Sequence, residues 1–408
     1  MKIALIIFTV FASQVVQAAL DPFVEESLYQ NYKSQISEGK KSSKYFLSQI
    51  EEKLYVDALW DSLEEEVTET KLQKLNQDKI QAFALVEKLR LGILGIKFRQ
   101  ASNLEASLVE ELSNELKKPD SDLKVIYIIA AHEKLLLSAG HQELISLAKL
   151  HDSYTDISQG SESENEIQSE IITDLYFNTP DVTTYMGGEY IKSVRIFMFC
   201  RQNRLYPCLM VMKDINGNQV RNTDGSLWTN GALASAVTGL PSYERNGNTP
   251  AGIFTIDSVM PVADQQLSYG KFRRMMLNFV PKSKEEALIK SLIPESSWDN
   301  DWWKPTTVAR DIGRNLFRIH GSGRINPDPN TPYFPFNRTH GCISQRENTY
   351  DGVTYQDQRN LLDSIMKAME LQPKYENEPK IKGILYIMEI EDKSEPVTSE
   401  DLAAFGIR

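Results

Sequence analysis

Residues 193–200 read SVRIFMFC, and residues 205–212 read LYPCLMVM. Both runs are rich in β-branched, aromatic and Met side chains, which favours extended backbone. The short segment RQNRLYP (201–207) joins them, so the pair reads as two strands with a tight connection. Asn216-Gly217 then gives a two-residue hairpin signal, because both residues tolerate the left-handed backbone of such turns. ALASAVTG (232–239), AGIFTI (251–256), NLFRIHG (315–321) and ILYIMEI (384–390) read as further strands. SKEEALIKSLI (283–293) and TYQDQRNLLDSIMKAMEL (354–371) carry helical spacing. Many strands with no βαβ rhythm predict a mainly antiparallel β domain, a sandwich or barrel, over residues 190–392. A tail, 393–408, follows.

Upstream the period changes. Residues 19–150 hold two prolines, Pro22 and Pro119, one near each end. Apolar residues recur at three- to five-residue steps, as in Leu54, Leu59, Leu63 and Val67, and in Phe83, Val86, Leu89 and Ile93. An α-helical domain of five or six helices is expected, with turns at Gly39, Pro119 and Gly140. Residues 151–189 are polar and acidic, as in SQGSESENEIQSE, and read as a linker with one short helix near 167–176. Such a join predicts two separable halves. Residues 1–18, MKIALIIFTVFASQVVQA, have one early Lys, an apolar run and small residues at the end. They read as a secretory signal peptide cleaved after Ala18, hence a periplasmic or secreted protein without a transmembrane segment. Charge is uneven. Residues 1–190 carry 18 Lys+Arg against 31 Asp+Glu, and residues 191–408 carry 27 against 25. An overall charge of −11 argues against a nucleic-acid binder.

Three cysteines are present: Cys200, Cys208 and Cys342. A hairpin loop centred on Arg204 places Cys200 opposite Cys208. A disulfide between them and two buried free thiols are both compatible with that placement. Cys342 stands in RTHGCIS (338–344), downstream of RIHG (318–321). A thiol nucleophile needs a base to form thiolate near neutral pH, and His suits that task. If 340–342 are extended, His340 and Cys342 project to the same face. Gly341 leaves room for a carbonyl to reach backbone N–H groups. His320 ends a neighbouring strand and can enter the same site. His132, His141 and His151 in the helical half lack ligand-like companions, and no metal site is expected.

The order His320-Gly321, a gap, then Thr339-His340-Gly341-Cys342-Ile343 resembles the signature of the L,D-transpeptidase family with its YkuD-type catalytic domain. Thr238-Gly239 followed by Thr249-Pro250-Ala251-Gly252-Ile253-Phe254 resembles a second feature of that family. The resemblance covers about 190–392. It implies that Cys342 is the nucleophile, His320 the proton acceptor and donor, His340 a supporting residue, and the Gly321 carbonyl the group that orients His320. It implies no metal or organic cofactor. One departure is Ser344, where the family usually has Arg or Asn; Arg346 is a candidate for the same space.

The implied substrate is a peptidoglycan tetrapeptide stem, and a basic rim suits its carboxylates. Arg338, Ser344, Arg346 and Tyr333 are candidate substrate contacts, with Arg318 and Arg324 flanking. Trp302 and Trp303, with Trp298, form either a lid over the substrate or a packed loop. The helical domain is a candidate docking surface for a protein partner. The acceptor is left open between a stem amine, a D-amino acid, a protein lysine and water. Water makes an L,D-carboxypeptidase, and a non-catalytic wall-binding scaffold is the alternative from another class.

Overall fold

The structure is a computed structural model. It describes residues 22–40, 46, 48–78, 83–154, 169–180, 184–185, 189–190, 193–240, 242–243, 245–282, 285–298, 300, 302–391 and 393–408. The signal-peptide reading, most of the linker and the residues beside Trp302 on its N-terminal side lie outside these. Among the described residues no helix is long and apolar enough to cross a membrane.

Eight α-helices are described between Pro22 and Ala148, more than the periodicity suggested: α1 (Pro22–Ser37), α2 (Gln49–Glu65), α3 (Glu69–Asp78), α4 (Leu85–Lys97), α5 (Ala106–Leu116), α6 (Leu123–Ala131), α7 (Glu133–Ser138) and α8 (Gln142–Ala148). The segment after Gly95 shows why the count rose, because short helices end in capped turns that a smooth period hides. Gly140, at φ 86°, separates α7 from α8. Ser48 caps α2 by accepting from the Glu51 N–H. Leu54, Leu59 and Leu63 are fully buried as the spacing requires, whereas Val67 lies beyond the helix and is exposed. The three histidines serve as helix ties. His141 Nε2 accepts from the Leu104 N–H at 2.8 Å, while His132 and His151 bond the Ile128 and Leu116 carbonyls at 3.0 and 2.8 Å.

A ninth helix, α9 (Ser169–Asn178), matches the short helix expected in the linker. The β region follows. A two-stranded ribbon, β1 (Thr184–Tyr185) with β2 (Glu189–Tyr190), precedes eight strands ordered β5-β4-β3-β12-β6-β7-β8-β9. These are β3 (Val194–Arg201), β4 (Cys208–Lys213), β5 (Asn230–Ala232), β6 (Gly252–Val259), β7 (Met275–Phe279), β8 (Arg318–His320), β9 (Ile343–Ser344) and β12 (Gly383–Ile390). Leu233 and Ser344 exchange two backbone hydrogen bonds, at 3.0 and 2.8 Å, which joins the two outer strands and closes the sheet into a barrel-like form.

The antiparallel expectation holds only in part, because the sheet is mixed. β12 runs parallel to β3 and antiparallel to β6, and β8 and β9 are parallel. The cause is connectivity: β12 returns from a long helix, α13 (Asp357–Ala368), and β9 follows β8 through a long loop, not a hairpin. Two element boundaries also differ from the sequence reading. Only the start of ALASAVTG is strand, because the chain leaves the sheet after Ala232 and touches it again at Leu233 and Ala236. Residues 353–356 form β11 (Val353–Gln356) against β10 (Glu347–Tyr350), so the helix starts at Asp357.

Every residue of β3 is buried. Its even-numbered side chains, Val194, Ile196, Met198 and Cys200, join a core with Leu361, Leu362, Ile365 and Met366 of α13. Phe197 and Phe199 face the other way, into a core with Ile172, Leu175 and Tyr176 of α9 and Leu402 of the C-terminal helix. Helices cover both faces, which is why SVRIFMFC does not alternate with polar residues. Cys200 and Cys208 are bridged, with Cα atoms 4.4 Å apart.

The helical half packs directly on the β region. α10 (Gln266–Tyr269), α11 (Glu285–Leu292) and α12 (Lys304–Asp311) decorate the sheet. Val308 of α12 and the adjacent Ile312 complete the core of the helical half, with Tyr243 and Leu316 against it.

Candidate active site

β8 and β9 pair in parallel with Ile319 opposite Ile343 and His320 opposite Ser344. Ile319 and Ile343 point into the barrel core. Side chains alternate along a strand, so Arg318, His320 and Ser344 face the other way. Cys342, one residue before β9, comes alongside Arg318. The strand end is held by the Gln345 N–H to the His320 carbonyl (2.8 Å) and by Gln358 Nε2 to the Ile319 carbonyl (3.2 Å).

His320 is buried, and its Nδ1 lies 2.5 Å from the Gly321 carbonyl. A carbonyl can only accept, so Nδ1 carries the proton and Nε2 keeps its lone pair. Burial pushes the imidazole pKa down to about 3; the Gly321 bond opposes this, and the Arg318 and Arg274 charges add to it. The ring is therefore neutral at pH 7, the form that accepts a proton. Tyr269 packs edge-on against it at 4.9 Å. The Tyr269 ring is in turn flanked by the guanidinium groups of Arg274 (4.2 Å) and Arg318 (5.6 Å).

The Cys342 Sγ lies 3.7 Å from the Leu316 carbonyl. Arg318 is its charged neighbour. Burial lowers the guanidinium pKa, opposed by the charge and hydrogen bond of the Cys342 sulfur. The turn before the sulfur is tied on both sides. Thr339 Oγ1 donates to the Cys342 carbonyl at 2.6 Å, and Thr249 Oγ1 donates to the Gly341 carbonyl at 2.9 Å. Thr249 opens the Thr-Pro-x-Gly-x-Phe motif, so the two sequence motifs meet at Gly341. Gly341 has φ 106°, a backbone that only glycine adopts readily.

Residues 340–342 form a bend and not a strand, and His340 is exposed. The two-residue spacing therefore does not set His340 beside Cys342 in the way an extended chain would. Ser344 is fully buried, and its Oγ has no partner among the described residues. Arg338 lies over the Tyr333 ring at 5.3 Å. Arg346 is engaged elsewhere, bonding Asp357 at 2.6 Å and stacking on Tyr355 at 4.3 Å and Phe336 at 5.1 Å. Trp302 is buried in the core on the α9 side of the sheet, with Trp303 packed against it. The packed-loop reading fits Trp302 and Trp303, which join the core that holds Ile253 and Tyr386, whereas Trp298 is exposed and donates from Nε1 to the Lys290 carbonyl at 3.1 Å.

Two groups near the site were not singled out from sequence, and Arg318, read there as flanking the site in a basic rim, is buried beside Cys342. Tyr269 arrives from the short helix α10 and had no sequence signal. Glu347 is buried, with its carboxylate against Gly321 and Gly270: a Cβ on Gly270 would lie 2.6 Å from its Oε2. Its Oε2 accepts from the Lys271 N–H at 2.6 Å. Burial pushes the carboxyl up to about 7, against the pull of Lys271.

Residues 215–351 match the family model described as YkuD, the L,D-transpeptidase catalytic domain. The matched stretch lies within the region that the two motifs marked out, and it contains Cys342, His320 and the Thr249–Phe254 motif. No curated protein and no solved structure matches the chain.

Proposed function

We propose that this protein is a peptidoglycan L,D-transpeptidase in which Cys342 is the nucleophile and His320 the proton carrier. The observation that carries the reading is the carbonyl-anchored His320 on β8, paired with the strand that begins one residue after Cys342, inside the matched region. The Cys342 sulfur attacks the carbonyl of the third stem residue, and Arg318 stabilises the thiolate. His320 Nε2 holds the thiol proton and passes it to the nitrogen of the departing D-alanine as the C–N bond breaks. A thioester remains. An amine acceptor attacks it, gives its proton to His320, and regenerates the thiol. A periplasmic or secreted location suits this substrate. The Cys342 backbone N–H is a candidate to receive the developing oxyanion, since the Gly341 N–H already donates to Thr339 Oγ1 at 3.2 Å.

The test is incubation of disaccharide-tetrapeptide with the purified protein, with and without added D-amino acid, followed by mass spectrometry. Cross-linked dimers or exchanged stems are expected, and Cys342→Ala should yield neither. Tripeptide alone at every amine concentration would assign the site to an L,D-carboxypeptidase. Unchanged tetrapeptide would remove the assignment.

A further inference from the structure

Helix α2 reaches the segment that supports the nucleophile. Asp57 and Asp61 of α2 bind Arg245 of the β region: its guanidinium lies 2.9 Å from the carboxylates of both. Asn246 Nδ2 donates to Asp61 at 2.6 Å and to Glu64 at 2.8 Å. Asn246 itself has φ 56°. On its other side the same segment is gripped by Arg314, which donates to the carbonyls of Gly247 (2.7 Å), Asn248 (2.8 Å) and Ser242. The Gly247 carbonyl and the Arg314 guanidinium are what a side chain at Gly341 would strike. Thr249 closes the path by bonding the Gly341 carbonyl. A second tie comes from α1, where Glu25 accepts from Asn315 Nδ2 at 2.6 Å, next to the Leu316 carbonyl that faces Cys342 Sγ.

We propose that helices α1 and α2 are a positioning element of the Cys342 site, with Asp61 acting through Arg245 and Asn246 to hold residues 245–249 against Arg314 and Gly341. This gives the helical half a role inside the site and does not need a docking partner for it. The proposal rests on the reading of Cys342 as nucleophile. None of the α2 residues touches the reacting atoms; they act through the turn at Gly341. A displacement of about 1 Å at a reacting atom can cost about a hundredfold in rate, so partial loosening of this segment is measurable.

The experiment compares Asn246→Gly, which keeps the left-handed backbone and removes both bonds to α2, with Leu112→Ala, a cavity in the helical core on α5. The readouts are the pH profile and rate of Cys342 alkylation by iodoacetamide, kcat and KM for tetrapeptide, and the thermal midpoint. Asn246→Gly should lower the alkylation rate and kcat each by about tenfold while KM stays within about twofold. Leu112→Ala should lower the midpoint and leave both rates unchanged. Arg245→Lys, which keeps the charge and loses the fork, carries the same expectation at about threefold and stands in if Asn246→Gly does not fold. Wild-type rates in the variants, faster rates, or an equal loss in Leu112→Ala would each overturn the proposal. Alkylation needs no stem peptide. A wild-type protein that leaves tetrapeptide untouched, with alkylation still slowed in Asn246→Gly, would sink the proposed reaction and leave the positioning role standing.

Discussion

His320 shows how one residue's surroundings set its chemistry. A free imidazole titrates near 6.5. Burial beside two arginines moves that titration to about 3, and the Gly321 carbonyl selects the tautomer with a bare Nε2. The same shift has a stability signature. Between pH 6.5 and about 3 the unfolded chain binds a proton at this position and the folded chain does not, so stability falls as pH falls through that window. Urea unfolding of the wild type and of His320→Gln from pH 7 to 4 should show the wild type losing more stability; parallel curves would contradict it. Glu347 has the opposite sign. Its carboxyl is raised to about 7, so the folded chain binds the extra proton between about 4.5 and 7, and its contribution is lost as pH rises. The stability of Glu347→Gln relative to wild type should therefore increase from pH 4.5 to 7, again read by urea unfolding.

At the scale of elements, the turn from Thr339 to Cys342 matters more than the strands it joins. It is tied by Thr339 and Thr249 and passes through a glycine at φ 106°. A methyl at Gly341 would sit 2.8 Å from the Gly247 carbonyl and against Arg314. Gly341→Ala should cost about 1–3 kcal/mol in denaturant unfolding and lower the alkylation rate of Cys342. A variant with wild-type stability would mean the turn relaxes at no cost. The disulfide works on another element. It closes the short loop between β3 and β4, so its contribution comes mainly through the unfolded chain.

The whole molecule is held by a buried ion network that crosses between the halves. Asp57 is fully buried and contacts Lys53, Arg90 and Arg245. Burial alone would raise its pKa, but Arg245, Lys53 and Arg90 overcome that and hold it far below the ordinary carboxylate range. Removing it leaves two buried arginines without their shared anion. Asp57→Ala should cost about 3–5 kcal/mol, measured by urea unfolding. The network and the shared core at Val308 and Ile312 also bear on the expectation of separable halves. Protein nicked within the acidic stretch after Tyr154 should elute from gel filtration as one particle under native conditions. Two particles would show that the contacts between the halves are too weak to hold them.

The sequence by itself determined the helical and β-rich halves and the strand runs at 193–212, 251–256 and 384–390, and it named His320 and Cys342 as candidates. These are local properties: a period of apolar residues, a turn dipeptide, a cysteine next to a glycine. The register of β8 on β9, the central place of β12, the closure at Leu233 and Ser344, and the packing of Trp302 into the core depended on contacts between residues far apart in the chain. So did the placing of Arg318, Tyr269 and Asp61 relative to Cys342. An exposed arginine and one buried beside a cysteine have the same sequence, and burial against a particular neighbour separates them. Only the tertiary structure decided that, because electrostatic strength depends on which groups are brought together out of water.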